Sequence, residues 1–221
     1  MRFENRIPGT IACTLALSVL LALASCGDDE SAPAGIDGPS PLSFFVTSVG
    51  VGERGGNYGG LTGADEFCSN LASAAGAGSR TWRAYLSTAQ ENARDRIGIG
   101  PWYNAAGVMV AQNLEQLHTE GIPLSGEPAI LDENGQPVPL RQHDIVTGTL
   151  PDGTWYEGRT CLDWTSNAET EIAQVGHSDN FSPAGRDSRW NSTHESLSCS
   201  QEGLAARLGA GRIYCLSLIH I

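Results

Sequence analysis

The chain has 221 residues, with Asp+Glu 25 against Lys+Arg 13 and a formal net charge of −12 at pH 7. All 13 basic residues are arginine. So acidic a chain argues against nucleic acid and against polyanions such as heparin, because both need a basic footprint.

The amino-terminal segment carries Arg2 and Arg6 and is followed by an apolar run from Ile11 to Ala24. A charged start, a short apolar core and small residues at its end make an export signal. The run falls short of the ~20 apolar residues that a membrane span needs. The run closes on Leu23-Ala24-Ser25-Cys26, which resembles the lipobox of bacterial lipoproteins. The resemblance implies a signal peptide over 1–25, cleavage before Cys26, a lipidated thiol and an acylated amino terminus. Two or more acyl chains anchor far better than one. The expected location is the bacterial cell envelope. Gly27, where Asp is absent, favours the outer membrane or cell surface over the inner membrane. Residues 26–42 then comprise the lipidated cysteine and a spacer rich in Ser, Pro, Ala and Gly, too poor in apolar side chains to fold.

Outside the cytoplasm disulfides persist. Of six cysteines, Cys13 leaves with the signal and Cys26 takes the lipid. Cys68, Cys161, Cys199 and Cys215 remain. Their three possible pairings are left open by the sequence. No Cys-x-x-Cys pair is present, which argues against a zinc ribbon or a thioredoxin-like redox centre.

Residues 43–215 make one domain's worth of chain. Phe44-Phe45-Val46-Thr47 reads as a first strand. Thr62 and Asp65 suggest a capping box for a helix whose apolar face is Ala64, Phe67, Cys68, Leu71, Ala72 and Ala75, stopping near Gly76 and Gly78. Trp82, Ala84 and Leu86 alternate with polar neighbours as in a strand. A short helix is expected within 88–96, short strands at Trp102-Tyr103 and Val108–Val110, and a helical turn over Asn113–Glu120. Asn134-Gly135 signals a two-residue turn. Asp144–Thr149 reads as a strand ending at the Pro151-Asp152-Gly153 turn. Residues 179–208 show little periodicity, and Arg212–Cys215 reads as a closing strand. The sum is an α+β domain of short strands, few helices and long loops. The last residues, 216–221, resemble a translated sequencing adapter and are set outside the domain as an expected artefact.

The landmarks Gly59–Cys68, Trp82–Ser87, Thr147–Gly153, Thr160–Thr165, Cys199 and Tyr214-Cys215 together resemble the endostatin-like branch of the C-type-lectin-like fold. More closely, they resemble a domain of unknown function in bacterial surface lipoproteins. The resemblance implies nested disulfides, Cys68–Cys215 and Cys161–Cys199. The calcium triplet of such lectins is incomplete: Ala129 follows Glu127-Pro128, Val138 follows Gln136-Pro137, and only Trp190-Asn191-Ser192 echoes the family's Trp-Asn-Asp. Calcium wants six to eight oxygen ligands, so binding without calcium is expected.

His143-Asp144, His177-Ser178-Asp179 and His194-Glu195 invite a metal or acid–base reading, but no spacing matches a motif such as His-Glu-x-x-His. No Gly-x-Ser-x-Gly supports a serine nucleophile. Trp164, beside Cys161, is expected in the core. The expected ligand site is the loop from Gly176 to Cys199, where His177, Asp179, Trp190, Asn191 and His194 combine an aromatic platform with amide and carboxylate. Arg83 and Arg159 are expected to form ion pairs. The functional expectation is a lipid-anchored, non-catalytic module engaging envelope or extracellular glycans or proteins, with no cofactor and no metal assigned. The alternatives are a metal-assisted hydrolase using His143, His177 and His194, or a purely structural lipoprotein. Separations beyond ~10 Å among those histidines would end the hydrolase reading, since zinc ligands sit ~2 Å from the metal.

Overall fold

The computed structural model describes residues 41–124, 129–181 and 188–218. Cys26, residues 27–40 of the expected spacer and the Glu127-Pro128 pair lie outside them; Leu42, assigned to that spacer, is buried in the core. The strands in chain order are β1 (Phe44–Val46), β2 (Trp82–Ala84), β3 (Trp102–Tyr103), β4 (Met109–Ala111), β5 (Asp144–Val146), β6 (Gln174–His177), β7 (His194–Glu195), β8 (Gly209–Arg212) and β9 (Tyr214–Ser217). The helices α1 (Gly60–Ala74), α2 (Ala93–Arg96) and α3 (Leu114–Thr119) are joined by a short late helix, Gln201–Ala205. The architecture is mixed α+β, with few helices and several small sheets. Among the described residues no helix is long and apolar enough to cross a membrane.

The first sheet has the order β1-β9-β2, both pairs antiparallel. Successive strand side chains point to opposite faces. Phe45 and Cys215 therefore enter one core cluster with Trp82 and with Ala64, Cys68 and Ala72 of α1. Phe44, Val46, Tyr214 and Leu216 enter a second with Trp102, Ile145 and Trp190. Leu216 and Ser217 are fully buried strand residues, so the folded domain runs past the expected boundary at 215. The 216–217 part of the supposed artefact is built into the sheet.

α1 is where the sequence placed a helix, but its cap differs. The N-cap is Gly59, in the left-handed conformation at φ 82°, and Thr62 lies inside the first turn. Asp65 is drawn elsewhere. Its carboxylate accepts the Ala84 N–H at 2.8 Å and both terminal nitrogens of Arg96, at 3.0 and 2.8 Å. Arg83 adds an ion pair to Asp65 at 3.2 Å, and Arg159 pairs with Glu195 at 2.8 Å.

The disulfides join Cys68 to Cys215 and Cys161 to Cys199, the pairing that the resemblance implies. The second anchors a left-handed turn in which Cys161, Leu162, Asp163 and Trp164 all have φ between 50° and 66°. Left-handed backbone costs about 1–2 kcal/mol per non-glycine residue. Packing and bonding around the turn offset that cost: Trp164 is fully buried, and its indole N–H donates to Ser87 O at 2.8 Å.

The second sheet has the order β7-β6-β5-β8. β5 pairs antiparallel with β6 and parallel with β8, and β7 lies on the edge. Neither β6 nor β7 was expected. β6 reads Gln-Val-Gly-His, whose glycine and polar ends hide the strand pattern. Gly176 is required by packing: a Cβ there would lie 1.9 Å from Trp190 O.

Candidate metal centre

Strand register gathers the site. In β5–β6 pairing, Asp144 stands opposite His177. In β6–β7 pairing, His194 stands opposite Val175, two residues from His177. Residues two apart share a face, and directly opposed residues do too. Asp144, His177 and His194 therefore project from one face of three adjacent strands. His143 precedes β5 with helical backbone, φ −77° and ψ −13°, which frees it from strand alternation. Its ring lies over His177 at 4.6 Å between centroids, with Phe181 at 5.5 Å.

The contacts are short. His177 Nε2 lies 3.1 Å from His194 Nε2 and 3.3 Å from Asp144 Oδ1. His194 Nε2 lies 3.5 Å from Asp144 Oδ2, and His143 Nε2 lies 3.3 Å from Asp144 Oδ1. Both Asp144 oxygens are buried without a hydrogen-bond partner. Ligand atoms of Asp144, His177 and His194 all fall within 4.8 Å of one another. His143, His177 and Asp179 form a second such group. In that group the Asp179 carboxylate is already committed to His143.

The outer hydrogen bonds decide where the ring protons sit. His143 Nδ1 faces Asp179 Oδ1 at 2.8 Å, and a carboxylate only accepts. His194 Nδ1 faces the carbonyl of Glu195 at 2.9 Å, which also only accepts. Ser188 Oγ donates to Asp179 O at 3.1 Å and so accepts from His177 Nδ1 at 2.7 Å. Each neutral ring is thus protonated on Nδ1, and each Nε2 presents a lone pair inward. This is how metal-binding histidines are held, with the far nitrogen donating to a carboxylate, hydroxyl or carbonyl.

Lone pairs of two imidazoles and a carboxylate facing one another at 3.1–3.5 Å repel unless a cation lies between them. The spacing also fits an ion. Ligands ~2.0–2.1 Å from a tetrahedral metal stand ~3.3 Å apart. Electrostatics agree in direction. Burial, reinforced by His143 and His194, pushes His177 down to about 4, so it stays neutral with its lone pair available. Burial raises Asp144, against the pull of His194 and His143. Burial alone would lower His143, but its hydrogen bond to Asp179 and the charges of Asp179 and Asp144 hold it above the ordinary histidine value.

Of the residues expected to bind ligand, His177, Asp179 and His194 meet here, joined by His143 and Asp144. The leading expectation assigned these residues no metal and the hydrolase alternative placed one on His143, His177 and His194; those rings lie well within ~10 Å, with centroids 4.6 and 5.1 Å from His177, in the geometry of a ligand set. Trp190 and Asn191 do not form an exposed platform. Trp190 is buried against Tyr85 and Tyr214, at 4.5 and 5.2 Å between ring centroids, and its indole N–H donates to Leu117 O at 3.0 Å. Asn191 is also buried; its amide donates to Tyr85 Oη and Pro151 O, both at 3.0 Å. The polar sequence around both residues comes from a loop that dips inward. Ser188 was missed, because only tertiary placement makes a lone serine a partner of His177.

No protein-family model matches the chain, and no curated protein matches it.

Proposed function

We propose that the domain binds a divalent transition-metal ion of the zinc class through Asp144, His177 and His194, with Asp179, Ser188 and Glu195 O orienting the rings. The observation that carries this reading is the convergence of inward lone pairs on an Asp144 carboxylate that has no donor of its own. Two imidazole nitrogens and a carboxylate suit zinc and its neighbours rather than calcium or magnesium, which prefer all-oxygen shells. The cysteines are paired in disulfides and supply no thiolate. The domain is read as lectin-like, which the nested disulfides support, and as presented at the bacterial envelope by a lipid on Cys26. Its role there is binding.

Calorimetric titration of zinc into the folded, chelator-treated chain tests the reading. One ion per chain is expected, and Asp144→Asn or His177→Gln should weaken binding by more than about 100-fold, beyond the effect of losing an outer partner. A chain that takes up no zinc, or variants that bind like the parent, would reject it.

A further inference from the structure

Three protein ligands leave a tetrahedral ion one position short, the arrangement by which zinc sites admit an outside ligand. Exposure within the ligand set is uneven, and solvent reaches it from the His194 side. Side-chain exposure is 2% for Asp144 and 4% for His177, but 19% for His194. His194 lies on β7, the edge strand of its sheet. His143 is 3% exposed, and its Nε2 lies 3.3 Å from Asp144 Oδ1.

A cation waits at the open edge. Arg207 donates from Nη1 to Glu195 O at 3.4 Å, and His194 Nδ1 bonds that same oxygen at 2.9 Å. The guanidinium therefore lies on the outer, Nδ1 side of the ligand ring, and its charge reaches the Asp144 carboxylate. The Glu195 carboxylate is taken by Arg159 at 2.8 Å. Arg207 is exposed and forms no ion pair among the described residues. A divalent ion held by one carboxylate and two neutral imidazoles keeps a net positive charge. With Arg207 alongside, this edge is locally positive on an acidic molecule.

We propose that the open position takes an oxyanion from outside, a carboxylate or a phosphate, bound through an oxygen to the metal and favoured by the nearby charge of Arg207. The inference rests on the metal reading above. It makes the metal the recognition point of the domain and names acidic groups as what it recognises. Both anions carry negative charge that the metal and the guanidinium attract together, and partial burial strengthens that attraction over its value in water.

The test loads the full chain with cobalt(II), whose visible absorption reports its ligands, and titrates acetate and inorganic phosphate separately. A saturable spectral change is expected with at least one anion. Saturation by acetate alone assigns the site to carboxylates, and by phosphate alone to phosphate groups. Arg207→Gln should leave cobalt binding unchanged and weaken the anion about tenfold. If cobalt binds one to one and neither anion changes its spectrum, the fourth position is closed, as by His143, and the inference fails while the metal reading stands. An anion that binds Arg207→Gln as tightly as the parent also overturns the assignment. If cobalt does not bind at all, the metal reading falls first and the inference with it.

Discussion

Asp179 acts on two rings at once. Its carboxylate holds His143 Nδ1, and its backbone carbonyl orients Ser188, which holds His177 Nδ1. Outer partners of this kind typically contribute 10–100-fold to metal affinity. Asp179→Asn keeps the carbonyl and weakens only the bond to His143, which is outside the three ligands, so zinc affinity should fall by less than about tenfold in the same calorimetric titration. Ser188→Ala removes the His177 acceptor directly and should cost more. A larger effect from Asp179→Asn than from Ser188→Ala would place His143 rather than His177 in the ligand shell.

His118 makes a separate prediction at the same scale. It is buried, bonded to Leu114 O and Tyr85 Oη at 2.8 Å each, and burial depresses its pKa. The unfolded value is about 6.5, so as pH falls the unfolded chain takes up the proton first. The stability of the fold is therefore complete above that value, declines as pH drops below it, and levels off below the folded value. The denaturant midpoint of the parent should drop more than that of His118→Gln between about pH 7 and pH 5. Equal losses would mean that His118 titrates normally in the fold.

At the scale of elements, register decides the site. Asp144, His177 and His194 are 33 and 17 positions apart, distances that carry no ligand motif. They meet because β5, β6 and β7 are adjacent and because a one-residue slip would send each side chain to the opposite face. Gly176→Ala probes this. The added methyl meets the Trp190 carbonyl, so β6 or the segment beside it must move. Overpacking of this sort costs about 1–3 kcal/mol. A lower melting temperature and weakened zinc binding should appear together. Reduced stability with unchanged affinity would show that the strands shift as one body.

The same scale explains what was legible in the sequence. α1, the first strand and the helical turn at α3 are where the sequence placed them. The Asn134-Gly135 signal marks a turn, but one of three residues rather than two: Gly135 N–H donates to Asp132 O, and Asp132 N–H donates to Gln136 O. β6, β7 and the short helix at Gln201–Ala205 were not expected, because two to five residues hold too little pattern. The histidines and Asp144 were visible as residues with metal chemistry, but their convergence was hidden in those unseen strands. Trp190 and Asn191 misled through their polar neighbours: burial of an indole or an amide depends on partners such as Leu117 O and Tyr85 Oη, which lie 73 and 106 positions away.

For the whole molecule, the disulfides act as closures of different reach. Cys68–Cys215 spans 147 residues and ties α1 to β9; Cys161–Cys199 spans 38. Chain-entropy arguments give about 5 kcal/mol for the longer loop and about 4 kcal/mol for the shorter, as upper figures. Replacing both cysteines of each pair by alanine should destabilise the longer-loop variant more, read as denaturant midpoints. Zinc binding should survive either change in the fraction that remains folded. The reverse order of stabilities would assign the larger share to the strained turn at Cys161–Trp164. Anchoring belongs to this scale as well. Cys26→Ser should release the chain from the membrane fraction, and unchanged fractionation would reject the lipobox reading.

X-ray absorption at the zinc edge of the loaded, disulfide-intact chain tests the metal centre most directly. The account predicts a nitrogen and oxygen shell at ~2.0–2.1 Å with outer scattering from two imidazoles, reduced to one in His194→Gln. A sulfur shell at ~2.3 Å, or imidazole scattering unchanged by the His194 and His177 substitutions, would contradict it.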